Sequence, residues 1–245
     1  MPLRTGIIGL ILLMTVANTS HSTSVQPRGE RDLVVVIHGM GRTKLSMSWL
    51  AGRLEHQGYD VLNFSYPSTR SSVAGSTAHL HQELQSQLPA RAGRVHFVTH
   101  SLGGIVVRAY LQQHPPANLG RVVMLSPPNQ GSEVVDKLRD NFLYRLATGP
   151  AGQELGTEKT STPNALGEVN FPLGVITGDR SFNPLFSSWL SGPDDGKVSV
   201  RHAKVSGMTD FLVVPHSHSF IMRSSTVAQQ VAQFLVHGKF NPSAA

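Results

Sequence analysis

The chain has 245 residues, 40% hydrophobic and 15% charged, a balance that fits one globular α/β domain and excludes a disordered or fibrous chain. The formal net charge is +6, yet the Lys and Arg residues are scattered and not interleaved with aromatics. They read as a solvated surface with weak attraction to anionic membranes, not as a nucleic-acid site. With no Cys, disulfides and a lipid-modified N-terminal cysteine are both excluded.

Residues 1–17 read as an export signal. Arg4 supplies the positive flank, residues 6–17 form a short uncharged apolar run, and Thr15 and Ala17 suit the −3 and −1 positions of a cleavage site. Cleavage as late as residue 24 fits the polar segment 18–31 equally well. The run is shorter than the roughly 20 residues of a membrane-spanning helix. A periplasmic or secreted protein is expected, with an uncleaved N-terminal anchor as the alternative.

A domain over residues 32–240 follows. Residues 33–37 (LVVVI) are a continuous apolar run, as in a strand covered on both faces, and end in His38-Gly39-Met40-Gly41. A helix is expected over 46–57 and a strand over 59–64. Val73, Thr77, Leu80 and Leu84 then fall at helical spacing within 72–88. A strand over 95–98 precedes Leu102, Ile105, Val106, Ala109 and Tyr110, one helical face that runs until Pro115-Pro116. Strands over 122–125, 173–177 and 211–214 come next, and Val227, Val231, Phe234 and Leu235 mark a closing helix. This alternation predicts a mostly parallel sheet with helices on both faces. Residues 141–171 have the least regular pattern and fit a lid, a pocket wall or a plain surface insertion.

The sharpest chemical signal is Thr99-His100-Ser101-Leu102-Gly103-Gly104, set between a buried strand and an amphipathic helix. A serine on such a turn projects its hydroxyl from the C-terminal edge of the sheet, and the helix start beside it offers free N–H groups to a developing anion. The sequence here resembles the α/β-hydrolase superfamily, and within it the bacterial lipase and esterase branch with a His-Ser-Leu-Gly-Gly elbow. Thr99 departs from the usual Gly-x-Ser-x-Gly pattern. The likeness extends through Asn63 to Pro67, Gly103 to Tyr110 and Pro127 to Glu133 and covers most of the chain.

That resemblance implies Ser101 as nucleophile, with the backbone N–H groups of Met40 and Leu102 as the oxyanion hole. The acid and the histidine follow in that order. Pro193-Asp194-Asp195-Gly196-Lys197-Val198 is similar to the acid-bearing turn of related lipases and selects Asp195, with Asp179 as the alternative and Asp194 as a turn cap. His218 matches the family's histidine best, with His216 two residues earlier as the alternative base. Two such histidines also suit a metal, but no third ligand stands at a recognisable spacing. The expected activity is cofactor-free hydrolysis of a small-molecule or lipid carboxylic ester. Acyl transfer and thioester or amide hydrolysis use the same groups, and a non-catalytic binding protein on this fold is the remaining alternative.

Overall fold

The computed structural model describes residues 31–88 and 93–244; the expected signal at 1–17 and residues 18–30 of the polar segment lie outside the described residues. A six-stranded, fully parallel sheet has the order β2-β1-β3-β4-β5-β6. Its strands are β1 (Leu33–Ile37), β2 (Asp60–Phe64), β3 (Val95–His100), β4 (Leu119–Leu125), β5 (Leu173–Gly178) and β6 (Asp210–Val214). The helices are α1 (Ser48–His56), α2 (Val73–Gln87), α3 (Leu102–Gln113), α4 (Glu133–Leu138), α5 (Phe142–Gln153), α6 (Thr162–Ala165), α7 (Pro184–Ser187) and α8 (Ser225–His237). No helix among the described residues is long and apolar enough to cross a membrane.

Alternation in β1 builds both layers of the core. Leu33, Val35 and Ile37 pack with Leu80 and Leu84 of α2 and Ile105 and Val106 of α3, while Val34 and Val36 face Leu50 and Leu54 of α1 and Val231 and Phe234 of α8. Helix α3 is buried along ten successive residues, from Leu102 to Leu111, which makes it the central helix of its layer. That stretch includes Arg108, 2% exposed. Its guanidinium donates to the Asn129 carbonyl (2.9 Å), Asn129 Oδ1 (3.2 Å) and the Gly167 carbonyl (2.6 Å), and burial lowers its pKa to about 10. Carbonyl dipoles thus take the place of a carboxylate partner and tie two loops to the helix.

The expected elements recur with shifted ends. A 3-10 turn at Lys44–Ser46 precedes α1, and β4 begins at Leu119. Within 141–171 the structure forms α5 and α6, and Gly149 (φ 64°) followed by Pro150 breaks the helical path of α5. From this segment Tyr144, Ala147, Thr148 and Leu155 line the cavity beside Ser101, while Phe142, Leu143 and Leu146 face solvent.

Strand order determines where a ligand fits. The chain leaves β1 toward β2 on one side and resumes beyond β1 at β3, so the loops after β1 and β3 diverge and open a crevice at their carboxyl ends. The N-terminus of α3 meets β1 closely there. A Cβ on Gly103 would stand 2.8 Å from the His38 carbonyl oxygen and 2.9 Å from that of Ile37, both rigid backbone. Gly52, within α1, faces open space. Gly103→Ala is therefore expected to destabilise by about 1–3 kcal/mol despite better helix propensity, and Gly52→Ala to stabilise by about 0.5–1 kcal/mol. Urea unfolding of the two variants checks the opposite signs.

Candidate active site

Ser101 joins β3 to α3 with φ 52° and ψ −123°, a conformation non-glycine residues rarely take. Its N–H donates to the Leu125 carbonyl (2.9 Å) and its own carbonyl accepts from Gly104 (2.9 Å), which fixes the turn from both sides. The departure at Thr99 has a local answer. Thr99 is fully buried, and a Cβ on Gly104 would lie 3.3 Å from its Oγ1, so the missing side chain of Gly104 makes room for the bulk of Thr99.

Ser101 Oγ lies 3.0 Å from His218 Nε2, and His218 Nδ1 lies 2.9 Å from Asp195 Oδ2. Asp195 is 1% exposed and its second oxygen accepts the N–H groups of Lys197 (3.0 Å) and Val198 (2.9 Å). Burial would raise the Asp195 pKa, but the adjacent His218 and these hydrogen bonds outweigh it and hold the carboxyl below its ordinary value. The His218 N–H also donates to the Asp195 carbonyl (2.9 Å), so the two residues are joined by backbone as well as side chains.

The alternatives fall elsewhere. Asp179 sits at the end of β5 with its carboxylate near Arg180 Nε (3.5 Å), and His216 makes no hydrogen bond to Ser101 or Asp195. Asp194 caps its turn by accepting from Gly196 N–H (2.7 Å) and Ser187 Oγ (2.9 Å), as expected.

Met40 and Leu102 both border the hydroxyl's surroundings, Met40 in the cavity wall and Leu102 as the first residue of α3. A first-turn N–H has no acceptor inside its helix, and Met40 N–H has no partner among the described residues. The turn holding Met40 is braced from the loop after β2. Tyr66 Oη donates to the His38 carbonyl (2.9 Å), its ring stacks on His38 (4.5 Å), and Gly41 N–H donates to Ser68 Oγ (3.1 Å). Tyr66 belongs to the Asn63-to-Pro67 stretch whose role the sequence leaves blank.

His100 is a residue of the site to which the sequence gives no role of its own. It is buried, and its Nε2–H donates to the His218 carbonyl (2.9 Å), holding the loop that carries His218. Burial, followed by the charge of His218, sets its pKa well below the ordinary 6.5, so it stays a neutral donor. A second Ser-His-acid group lies nearby, with His202 Nδ1 close to both Ser199 Oγ (2.9 Å) and Glu133 Oε1 (3.0 Å). Both contacts use the same ring nitrogen, so no proton can pass through the imidazole from hydroxyl to carboxylate; this group is a brace. Burial opposes ionisation of Glu133, but bonds from His202 and the Ser191 N–H prevail and hold its pKa at about 2.

A cavity of about 330 Å³ opens onto Ser101 and His218, and its apolar wall includes Val134, Val135, Tyr144, Leu155 and Val198. Such a site can bind an acyl chain, present its carbonyl to a hydrogen-bonded hydroxyl, and receive the resulting oxyanion on backbone N–H groups. A family model described as "Alpha/beta hydrolase family" matches residues 34–233. The chain belongs to that family. It is 26% identical to the lysosomal thioesterase PPT2 of Mus musculus over 233 residues, covering 82% of this chain and 74% of the relative. Among solved structures it is similar to the mature Bacillus licheniformis lipase BlEst2, with TM-score 0.66, 18% identity and coverage of 87% of this chain and 94% of the lipase. Phospholipase PlaB from Legionella pneumophila in complex with thio-NAD matches with TM-score 0.67, 20% identity and coverage of 82% and 56%. These structural likenesses establish the hydrolase fold.

Two outcomes follow from the site's bracing. His100→Ala is expected to lower kcat for a p-nitrophenyl ester about tenfold or more with little change in KM, because the His218 loop loses one of its anchors. Steady-state kinetics at matched folding decide this. Glu133 has a folded pKa depressed from 4.5 to about 2, so its contribution to stability is present above about pH 4.5 and is lost as pH falls toward 2. The Tm deficit of Glu133→Gln should accordingly be largest near neutral pH and shrink steadily below pH 4.5.

Proposed function

We propose that this chain is a serine hydrolase that cleaves carboxylic esters through an acyl-enzyme on Ser101. The observation that carries the reading is the continuous hydrogen-bonded series Ser101–His218–Asp195 at the mouth of a largely apolar cavity. His218 takes the Ser101 proton as Oγ attacks the acyl carbon, and Asp195 orients the imidazole and stabilises the imidazolium that forms. The N–H groups of Met40 and Leu102 receive the oxyanion. His218 then protonates the leaving alcohol, and water repeats the cycle to release the acid. An export signal over residues 1–17 completes the reading as a periplasmic or secreted enzyme.

Thioester hydrolysis is the second reading, supported by the likeness to a thioesterase over most of the chain. The same groups serve, with a thiol in place of the alcohol. The test is hydrolysis of p-nitrophenyl esters from acetate to palmitate, beside acyl thioesters of matched length. Ser101→Ala is expected to lose about 10⁴-fold or more in kcat, and Asp195→Asn about 10⁴-fold, with KM less affected. Equal rates in Ser101→Ala and wild type would remove the assignment. A kcat/KM for thioesters far above that for the matched esters would promote the second reading.

A further inference from the structure

The apolar wall of the cavity accounts for an acyl chain but leaves two of its lining residues unexplained. Arg42 and Lys197 both border the cavity that contains Ser101 and His218, and no Asp or Glu lines it. Each is carried on a loop that also supplies a site component. Arg42 follows Met40 in the turn after β1, where its N–H donates to the Gly39 carbonyl (3.3 Å). Lys197 is two residues beyond Asp195; its N–H binds that carboxylate (3.0 Å) and its carbonyl accepts from Ser132 Oγ (2.6 Å). The backbones of both cations are thus fixed relative to the reacting hydroxyl.

Neither side chain has an ion-pair partner among the described residues. Partial burial, then the charge of Arg42, lower the Lys197 pKa, and the Asp195 carboxylate, itself bonded to His218, opposes them. Two cations that line one cavity beside a hydroxyl, with no carboxylate on its wall, are relieved by an anion that binds to both. Depth orients that anion. Val134, Val135 and Leu155 are buried at the cavity wall, whereas Arg42 and Lys197 are exposed at its rim. An ester bound with its acyl chain inward therefore sets its alcohol portion against the cations.

We infer that Arg42 and Lys197 form a binding site for a phosphate on the alcohol side of the scissile ester, and that the preferred substrate is an acyl glycerophosphate. The inference rests on the ester-hydrolase reading of Ser101. In the reaction Ser101 Oγ bonds the acyl carbon, the ester C–O bond breaks, and the Ser101 proton passes through His218 to the glycerophosphate oxygen. Water then releases the fatty acid and restores the Ser101 hydroxyl. A phosphate fits better than a carboxylate because it offers more acceptor oxygens, enough for an Arg fork and an ammonium at once. The glycerol unit keeps it only a few bonds from the ester oxygen.

The test compares a 1-acylglycerol 3-phosphate with the monoacylglycerol of the same medium-length chain, both below their aggregation concentrations. Wild type, Arg42→Gln, Lys197→Gln and the double variant are compared by kcat/KM. Wild type is expected to favour the phosphate ester by roughly 10- to 100-fold, each single variant to lose about tenfold of that preference, and the double variant to lose nearly all of it. Rising ionic strength should erode the wild-type preference as well, since the cations are exposed. Equal kcat/KM for the two esters in wild type, or a preference that survives in the double variant, overturns the inference. So does a preference for acyl-coenzyme A of the same chain, whose phosphates lie many bonds from the thioester. Cleavage of the neutral ester that depends on Ser101 but shows no phosphate preference removes this inference alone. If neither ester is cleaved and Ser101 resists a fluorophosphonate label, the hydrolase reading falls and this inference with it.

Discussion

Ser101 occupies a left-handed backbone conformation that costs about 1–3 kcal/mol, and the rest of the site depends on that strain being held. Helix α3 is what holds it. Each fully buried Val, Leu or Ile contributes about 1.5–3 kcal/mol, and Leu102, Ile105, Val106 and Val107 are all fully buried along that helix. Packing outweighs the strain, so the turn cannot relax without displacing the central helix of the core. Ser126, which follows β4 with φ 48°, repeats the device on the neighbouring strand. The Ser101 N–H reaches Leu125 at the end of β4, and the Ser126 N–H reaches Ile176 near the end of β5 (2.8 Å). Each turn at this sheet edge is thus anchored by the strand beside it.

The histidine loop is held by a different means. It follows the edge strand β6 and has no further strand to lean on. Apart from the Arg180 N–H donated to the His216 carbonyl (3.3 Å), its restraint comes from within the site: the His218 N–H to the Asp195 carbonyl, the His218 carbonyl from His100, and Nδ1 to Asp195 Oδ2. Since Ser101 follows His100 directly, one short stretch of chain carries both the hydroxyl and a restraint on its hydrogen-bond partner. The glycine at position 39 lets this happen, because a Cβ there would stand 2.8 Å from His100 Nδ1.

Most of this frame is legible in the sequence because buried parallel strands read as unbroken apolar runs, and because a Ser between such a run and an amphipathic helix has few bland meanings. In the sequence only a turn resemblance separates Asp195 from Asp179, whereas the fold sets the two carboxylates in different surroundings. The 195–198 loop turns its N–H groups onto the carboxylate and folds over His218, whereas Asp179 stops at the strand end beside Arg180. What sequence could not disclose depends on partners distant along the chain. Arg108 sits in a helix whose apolar face is clear, but its acceptors are carbonyls at 129 and 167 that no periodicity announces. Residues 141–171 look irregular because α5 breaks at Gly149-Pro150, and a broken helix shows no sustained period. The resemblance motifs at 63–67 and 127–133 carry no stated purpose in the sequence; Tyr66 and Asn129 supply one, bracing the turn after β1 and accepting from Arg108.

The placement of β6 at the sheet margin sets an order of failure. Asp195 and His218 are contributed by the stretches after the last two strands, while Ser101 belongs to an interior strand wedged between β1 and β4. Margins of a sheet open at lower free energy than its interior. Mild heat or denaturant is therefore expected to part the hydroxyl of Ser101 from its imidazole before the turn beneath it is disturbed. On the proposed mechanism, activity is then expected to fade before the core melts and to return when that strand recloses.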